Sequence, residues 1–148
     1  MNRITGLLPH LARILLGLPF FVGGLNGFLE FAPMPELTEP AAAFMGALVQ
    51  TGYLLPLVKA IELLTGLALL GNRFVPLALV LLAPIMVNIV TFHVFLTPGD
   101  VAMPVVLLAL QLFLAWSYRD AYGGVLRARS TPRVGATASA PEVSPQAA

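Results

Sequence analysis

The chain has 148 residues, 58% of them hydrophobic and only 10% charged, with a net charge of +1 and a mean hydropathy of +0.89. Soluble domains need about a quarter of charged residues to cover their surface, so this composition excludes an ordinary soluble domain and indicates an integral membrane protein of one domain. The charge provides no basic stripe for nucleic acid, and the lack of cysteine excludes disulfides, thiolate metal sites and dithiol redox chemistry.

The first apolar run, Ile14–Phe31, follows Arg3 and Arg13. It is too long for a signal-peptide core and is expected to be a retained spanning helix. Residues 41–70 are also largely apolar, but a single helix of that length would measure about 45 Å against a hydrocarbon core of about 30 Å. Gly52 and Pro56 offer break points, so Ala41–Gln50 is expected as a short separate helix on the outer membrane face and Gly52–Leu70 as the second span. Phe74–Leu96 is the third span and Val101–Trp116 the fourth, with Pro104 in a first-turn position that tolerates proline. The expected fold is all-α: a membrane-embedded four-helix bundle over 14–122, preceded by an N-terminal segment 1–13. The tail 123–148 is rich in Ala, Pro and Ser without an apolar period and is expected to be disordered.

Arg3, Arg13, Arg73, Arg119, Arg127, Arg129 and Arg133 lie outside the spans, and neither Lys nor Arg occurs in 32–51 or 97–100. The positive-inside rule therefore places both termini and the 71–73 turn in the cytoplasm, with the protein in a plasma or inner membrane. Trp116, Tyr118 and Tyr122 cluster at the inner end of span four, where amphipathic rings favour the headgroup level.

Polar side chains inside spans are few, and their cost in hydrocarbon makes each a candidate for function. They are Asn26 and Glu30 in span one, Lys59 and Glu62 in span two, Asn88, Thr91 and His93 in span three, and Gln111 in span four. A rise of about 1.5 Å per residue puts Glu62 roughly 12 Å and Lys59 roughly 17 Å from the cytoplasmic edge, with Asn26, Asn88, Glu30 and His93 progressively nearer the outer one. If they share the bundle interior, these groups form a ladder of ligand-binding candidates from mid-membrane outward. Lys59 and Glu62, three apart, can meet on one helix face. They read either as a neutralised pair that holds the bundle or as a support for Glu62 acting as a ligand-binding or proton-accepting carboxylate. His93 reads either as a wet interfacial histidine or as a hydrogen-bond partner for a quinone carbonyl. Gly23 and Gly27 have GxxxG spacing and, with Gly66, are expected to be helix-packing positions, within the chain or between copies. His10 and His93 are expected on opposite membrane sides, so one chain cannot clamp a haem between them. No metal cluster, Walker loop, HExxH or GxSxG motif occurs, so no catalytic residue, haem or metal is expected.

The order "ARILLGLPFFVGGLNGFLEF", "TGYLLPLVKAIELLTGLALLGNRFVPLALVLLAPIMVNIVTFHVFL" and "LFLAWSYRDAY" resembles the DoxX family of small four-helix bacterial membrane proteins over about Ala12–Tyr122. The resemblance implies a compact four-helix membrane fold. It also implies a quinone neighbourhood, because the name-giving members are similar to a subunit of a thiosulfate:quinone oxidoreductase and others associate with redox enzymes. Relatives often carry a basic residue near the position of Asn26, and this sequence departs from that pattern. The functional expectation is a non-catalytic subunit or anchor, with the lipid bilayer and a redox protein or quinone as partners. A purely structural protein and a small proton or solute transporter using Glu62 stand as alternatives.

Overall fold

The computed structural model describes residues 3–33, 36–124 and 126. Five α-helices follow one another: α1 Arg3–Leu29, α2 Glu39–Gln50, α3 Leu54–Leu70, α4 Val75–Leu96 and α5 Ala102–Ser117. Short 3-10 turns occupy Pro98–Asp100 and Arg119–Tyr122, and no strand occurs among the described residues. Helices satisfy every interior backbone group within one segment, which is what an apolar chain in lipid requires. The helix expected from Ile14 already begins at Arg3, so the described part of 1–13 continues α1. The tail, apart from 123, 124 and 126, lies outside the described residues.

The break expected at Gly52 is present. Gly52 adopts φ +73, a left-handed conformation that glycine enters without steric cost. Thr51 completes the corner: its hydroxyl donates to the Leu48 carbonyl at 2.6 Å and accepts from the Leu54 N–H at 3.1 Å. Consequently α2 is a separate helix that meets α3 at 94°. Pro56 sits in the first turn of α3, where its missing N–H breaks no bond.

Helices α1 and α3 pack along most of their length, antiparallel, because glycines bring their backbones together. A Cβ on Gly24 would fall on the backbone of Leu63, and one on Gly66 would fall on the backbone of Phe21. Gly17 and Gly27 extend the stripe, against Leu69 and the stem of Lys59. Of the three glycines expected at helix contacts, Gly27 and Gly66 lie where α1 and α3 approach closely, and Gly23 lies beside that contact. A Cβ there would meet nothing nearer than Glu62 Oε2 at 4.0 Å. Along the stripe Gly27 is joined by Gly24, both of which abut α3.

One half of the bundle is packed solid. Ala12, Leu16 and Phe20 of α1, Leu69 of α3, Ala78, Leu79 and Leu82 of α4 and Leu114 of α5 form its core. Gln111 lies in this core and donates from Nε2 to the Leu79 carbonyl at 3.0 Å. At that end of the molecule Tyr122 donates its hydroxyl to the Pro76 carbonyl at 3.3 Å, and Arg119 lies 4.9 Å over the Trp116 ring. Burial raises the Tyr122 phenol above its ordinary pKa, so it is a protonated donor throughout the neutral range.

The outer surface is apolar on every long helix. Leu15, Leu64, Val87 and Leu112 are each about 60% exposed, as side chains facing lipid tails would be. Leu7–Leu29 and Val75–Leu96 are each long and apolar enough to cross a membrane, and the bent α2–α3 pair qualifies if taken as one broken span. Helix α5, with 16 residues, is shorter.

Candidate functional site

The other half of the bundle is hollow. A partly open cavity of about 340 Å³ lies between α2, α3 and α4. Helix α2, turned away from the bundle axis by the Gly52 corner, closes it with Phe44, Met45 and Leu48. It is held there by two contacts: Thr38 donates its hydroxyl to the Leu96 carbonyl at 2.7 Å, and the Phe44 and Phe92 rings stand 5.6 Å apart. Helix α3 contributes Leu55 and Val58 beside the polar pair Lys59 and Glu62. Helix α4 contributes Ile85, Asn88, Ile89, Phe92 and His93 from the segment beyond Pro84. Proline has no N–H for the Val80 carbonyl one turn back, which loosens α4 where the packed half gives way to the hollow one.

Within this apolar wall the polar groups are specific. Lys59 Nζ donates to Glu62 Oε2 at 2.7 Å, with the carboxylate side chain 8% and the lysine side chain 25% exposed. The pair therefore closes on itself along one turn of α3, with the carboxylate facing Gly23 of α1 on one side and the cavity on the other. Thr65, one turn further on, donates its hydroxyl to the carbonyls of Ile61 and Glu62 at 2.6 and 3.2 Å. His93 Nδ1 is 2.8 Å from the Ile89 carbonyl. A carbonyl only accepts, so the hydrogen of that bond sits on Nδ1, and Nε2 is the ring nitrogen left for any other partner. The Phe92 ring meets the imidazole edge-on at 5.4 Å.

Four of the six expected ligand-binding residues, Lys59, Glu62, Asn88 and His93, thus line one cavity. Asn26 and Glu30 do not. The Asn26 amide caps the end of α1, accepting from the Ala32 N–H at 2.7 Å and donating to the Ala32 carbonyl at 3.2 Å. Glu30 lies just past the helix end with φ 49, exposed, as the left-handed residue of that turn. The helical rotation that points Gly24 and Gly27 at α3 turns Asn26 away from the cavity, so the ladder lacks its span-one rung. Removing the cap by Asn26→Ala is expected to lower stability by about 1 kcal/mol, the usual worth of such a bond. Chaotrope unfolding in detergent reads it, and an unshifted midpoint would show that the turn holds without Asn26.

Two features escape a reading of polar residues in spans. The aromatic and aliphatic wall from α2 was legible only as Phe44 and Leu48 at i,i+4. Arg13, counted as a topology signal, is buried at 7% exposure, with no partner for Nε or Nη1 among the described residues. His10 is exposed on the first third of α1, whereas His93 lies in the last turn of α4 at the opposite end of the bundle, so the two share no site. Among the described residues no group of three His, Asp or Glu could hold a metal ion.

No curated protein and no solved structure matches the chain. The DoxX family model matches residues 8–94, well over half of the chain, and this segment contains every residue that lines the cavity. Together with the apolar helices, the match establishes an integral membrane protein that belongs to the DoxX family.

Proposed function

We propose that the protein is a non-catalytic membrane subunit or anchor of a quinone-linked redox system, and that the cavity between α2, α3 and α4 holds the quinone head group. The observation that carries this reading is the composition of the cavity: apolar walls with three separated polar points, the Lys59–Glu62 pair, Asn88 and His93. Such a mixture suits a flat, largely apolar ring with oxygens at its edges. A volume of about 340 Å³ accommodates a head group, with an isoprenoid tail left among the lipid-facing side chains. In this reading α1, α3, α4 and α5 each cross a plasma or inner membrane, with both termini cytoplasmic. The antiparallel α1–α3 pair and the placement of Arg73 and Arg119 support that topology. Helix α5, about 24 Å long, then sits in a locally thinned bilayer. The cavity opens in the outer half, beneath α2.

Mild-detergent purification followed by mass spectrometry of extracted lipids tests the proposal. Quinone is expected at about one molecule per chain, and recovery of none from quinone-replete membranes would remove the reading. A structural role is the second reading, favoured by the closed 2.7 Å contact between Lys59 and Glu62, which leaves neither charge alone. A transporter driven by Glu62 finds less support, because the same contact ties the carboxylate to its own helix.

A further inference from the structure

This step rests on the quinone-class occupant proposed above and concerns its redox form. We infer that the cavity selects the hydroquinone over the quinone, because His93 offers it an acceptor only. The Ile89 carbonyl holds the hydrogen on Nδ1 at 2.8 Å. In the neutral ring Nε2 then carries a lone pair and no hydrogen. A quinone carbonyl facing it sets two acceptors against each other and leaves both unsatisfied, which is costly in an apolar cavity. A phenolic hydroxyl donates to Nε2 and still accepts through its own oxygen.

The other polar points do not oppose this choice. The Asn88 amide both donates and accepts, so it serves either form. The Lys59–Glu62 pair does likewise, since Nζ keeps two hydrogens beyond the one directed at Oε2 and the carboxylate keeps its acceptor capacity. Discrimination therefore falls to His93. Tighter binding of the reduced form stabilises it, so the midpoint potential of the bound couple rises above that of the free couple.

The test uses the full chain in detergent, without oxygen. The probes are a short-chain alkyl benzoquinone and the same compound reduced to its hydroquinone. The hydroquinone is expected to bind roughly tenfold more tightly, the scale of one unmet buried hydrogen bond. For a two-electron couple that ratio corresponds to a rise of about 30 mV. His93→Phe keeps the bulk and removes the acceptor, so the ratio should fall to about one. His93→Gln, whose amide can turn its donor inward, should move the ratio toward the quinone. Equal or tighter binding of the quinone by the unaltered chain would overturn the inference while leaving the cavity a quinone site. A tenfold ratio that persists in a folded His93→Phe chain would also overturn it. Binding of neither form would instead remove the proposed function itself.

Discussion

Gly66→Ala is expected to destabilise the protein by about 3 kcal/mol, the upper end of ordinary overpacking, because the added methyl lands on backbone and no rotamer change can clear it. Its Cβ would fall on Phe21 N and Cα, and that of Gly24→Ala on Leu63 N and Cα. In either case α1 and α3 must move apart. Lipid tails are as apolar as the helix surfaces, so association here depends on this close approach rather than on hydrophobic burial. Gly23→Ala, whose added methyl meets only Glu62 Oε2 at 4.0 Å, should not destabilise and should gain roughly 0.5–1 kcal/mol through helix propensity. Gly46→Ala, in open space on α2, should stabilise by roughly 0.5–1 kcal/mol through helix propensity. Unfolding of all four variants by denaturing detergent gives the comparison. Equal losses at Gly23 and Gly24 would show that the helix rotation described for α1 is wrong.

Lys59→Met carries the second large effect. It strands the Glu62 carboxylate, whose side chain is 8% exposed, with its cationic partner at 2.7 Å removed, and should cost about 3 kcal/mol. Glu62→Gln alone should cost less, since Lys59 is more exposed and can extend its ammonium toward water. Replacing both, Lys59→Met with Glu62→Met, should recover most of the loss, because an apolar pair of similar size carries no desolvation penalty. The three variants and the parent form a cycle whose coupling term is read from unfolding midpoints. If the double variant is as unstable as Lys59→Met, the pair contributes more than mutual neutralisation, and Glu62 has a structural role through groups other than Lys59. Retention of bound quinone in the refolded double variant would further assign head-group binding to Asn88 and His93 alone.

The sequence revealed elements whose signals are local. Hydropathy located the long helices, and the excess length of 41–70 together with Gly52 located the corner between α2 and α3. The i,i+3 spacing of Lys59 and Glu62 foretold their contact, which involves a single helix turn. What the sequence concealed depends on rotation about a helix axis. Gly23 and Gly24 differ by about 100° of azimuth, and spacing alone does not say which of them abuts α3. The same rotation decided the fate of Asn26, whose amide reads equally well as an interhelical donor or as a cap until the chain beyond Leu29 is seen to turn back onto it. Glu30 followed from that turn. The cavity itself was invisible, because it is a void defined by where α2 comes to rest. Its polar members come from the first half and middle of α3, Lys59 and Glu62, and from the second half of α4, Asn88 and His93. The tautomer of His93 needed the Ile89 carbonyl, a backbone atom whose geometry no side-chain pattern reports.

The space beneath α2 is the proposed seat of a quinone-class head group. Met45→Trp extends a larger side chain from α2 into that space and leaves the α1–α3 glycine contacts, the Lys59–Glu62 pair and His93 unaltered. The most direct measurement is the molar ratio of quinone retained by the purified protein, parent against Met45→Trp, with unfolding midpoints confirming that both are folded. A ratio near one in the parent, reduced at least tenfold in the folded variant, is the expected result. Quinone retained equally by both would place the ligand elsewhere and contradict the assignment of the cavity.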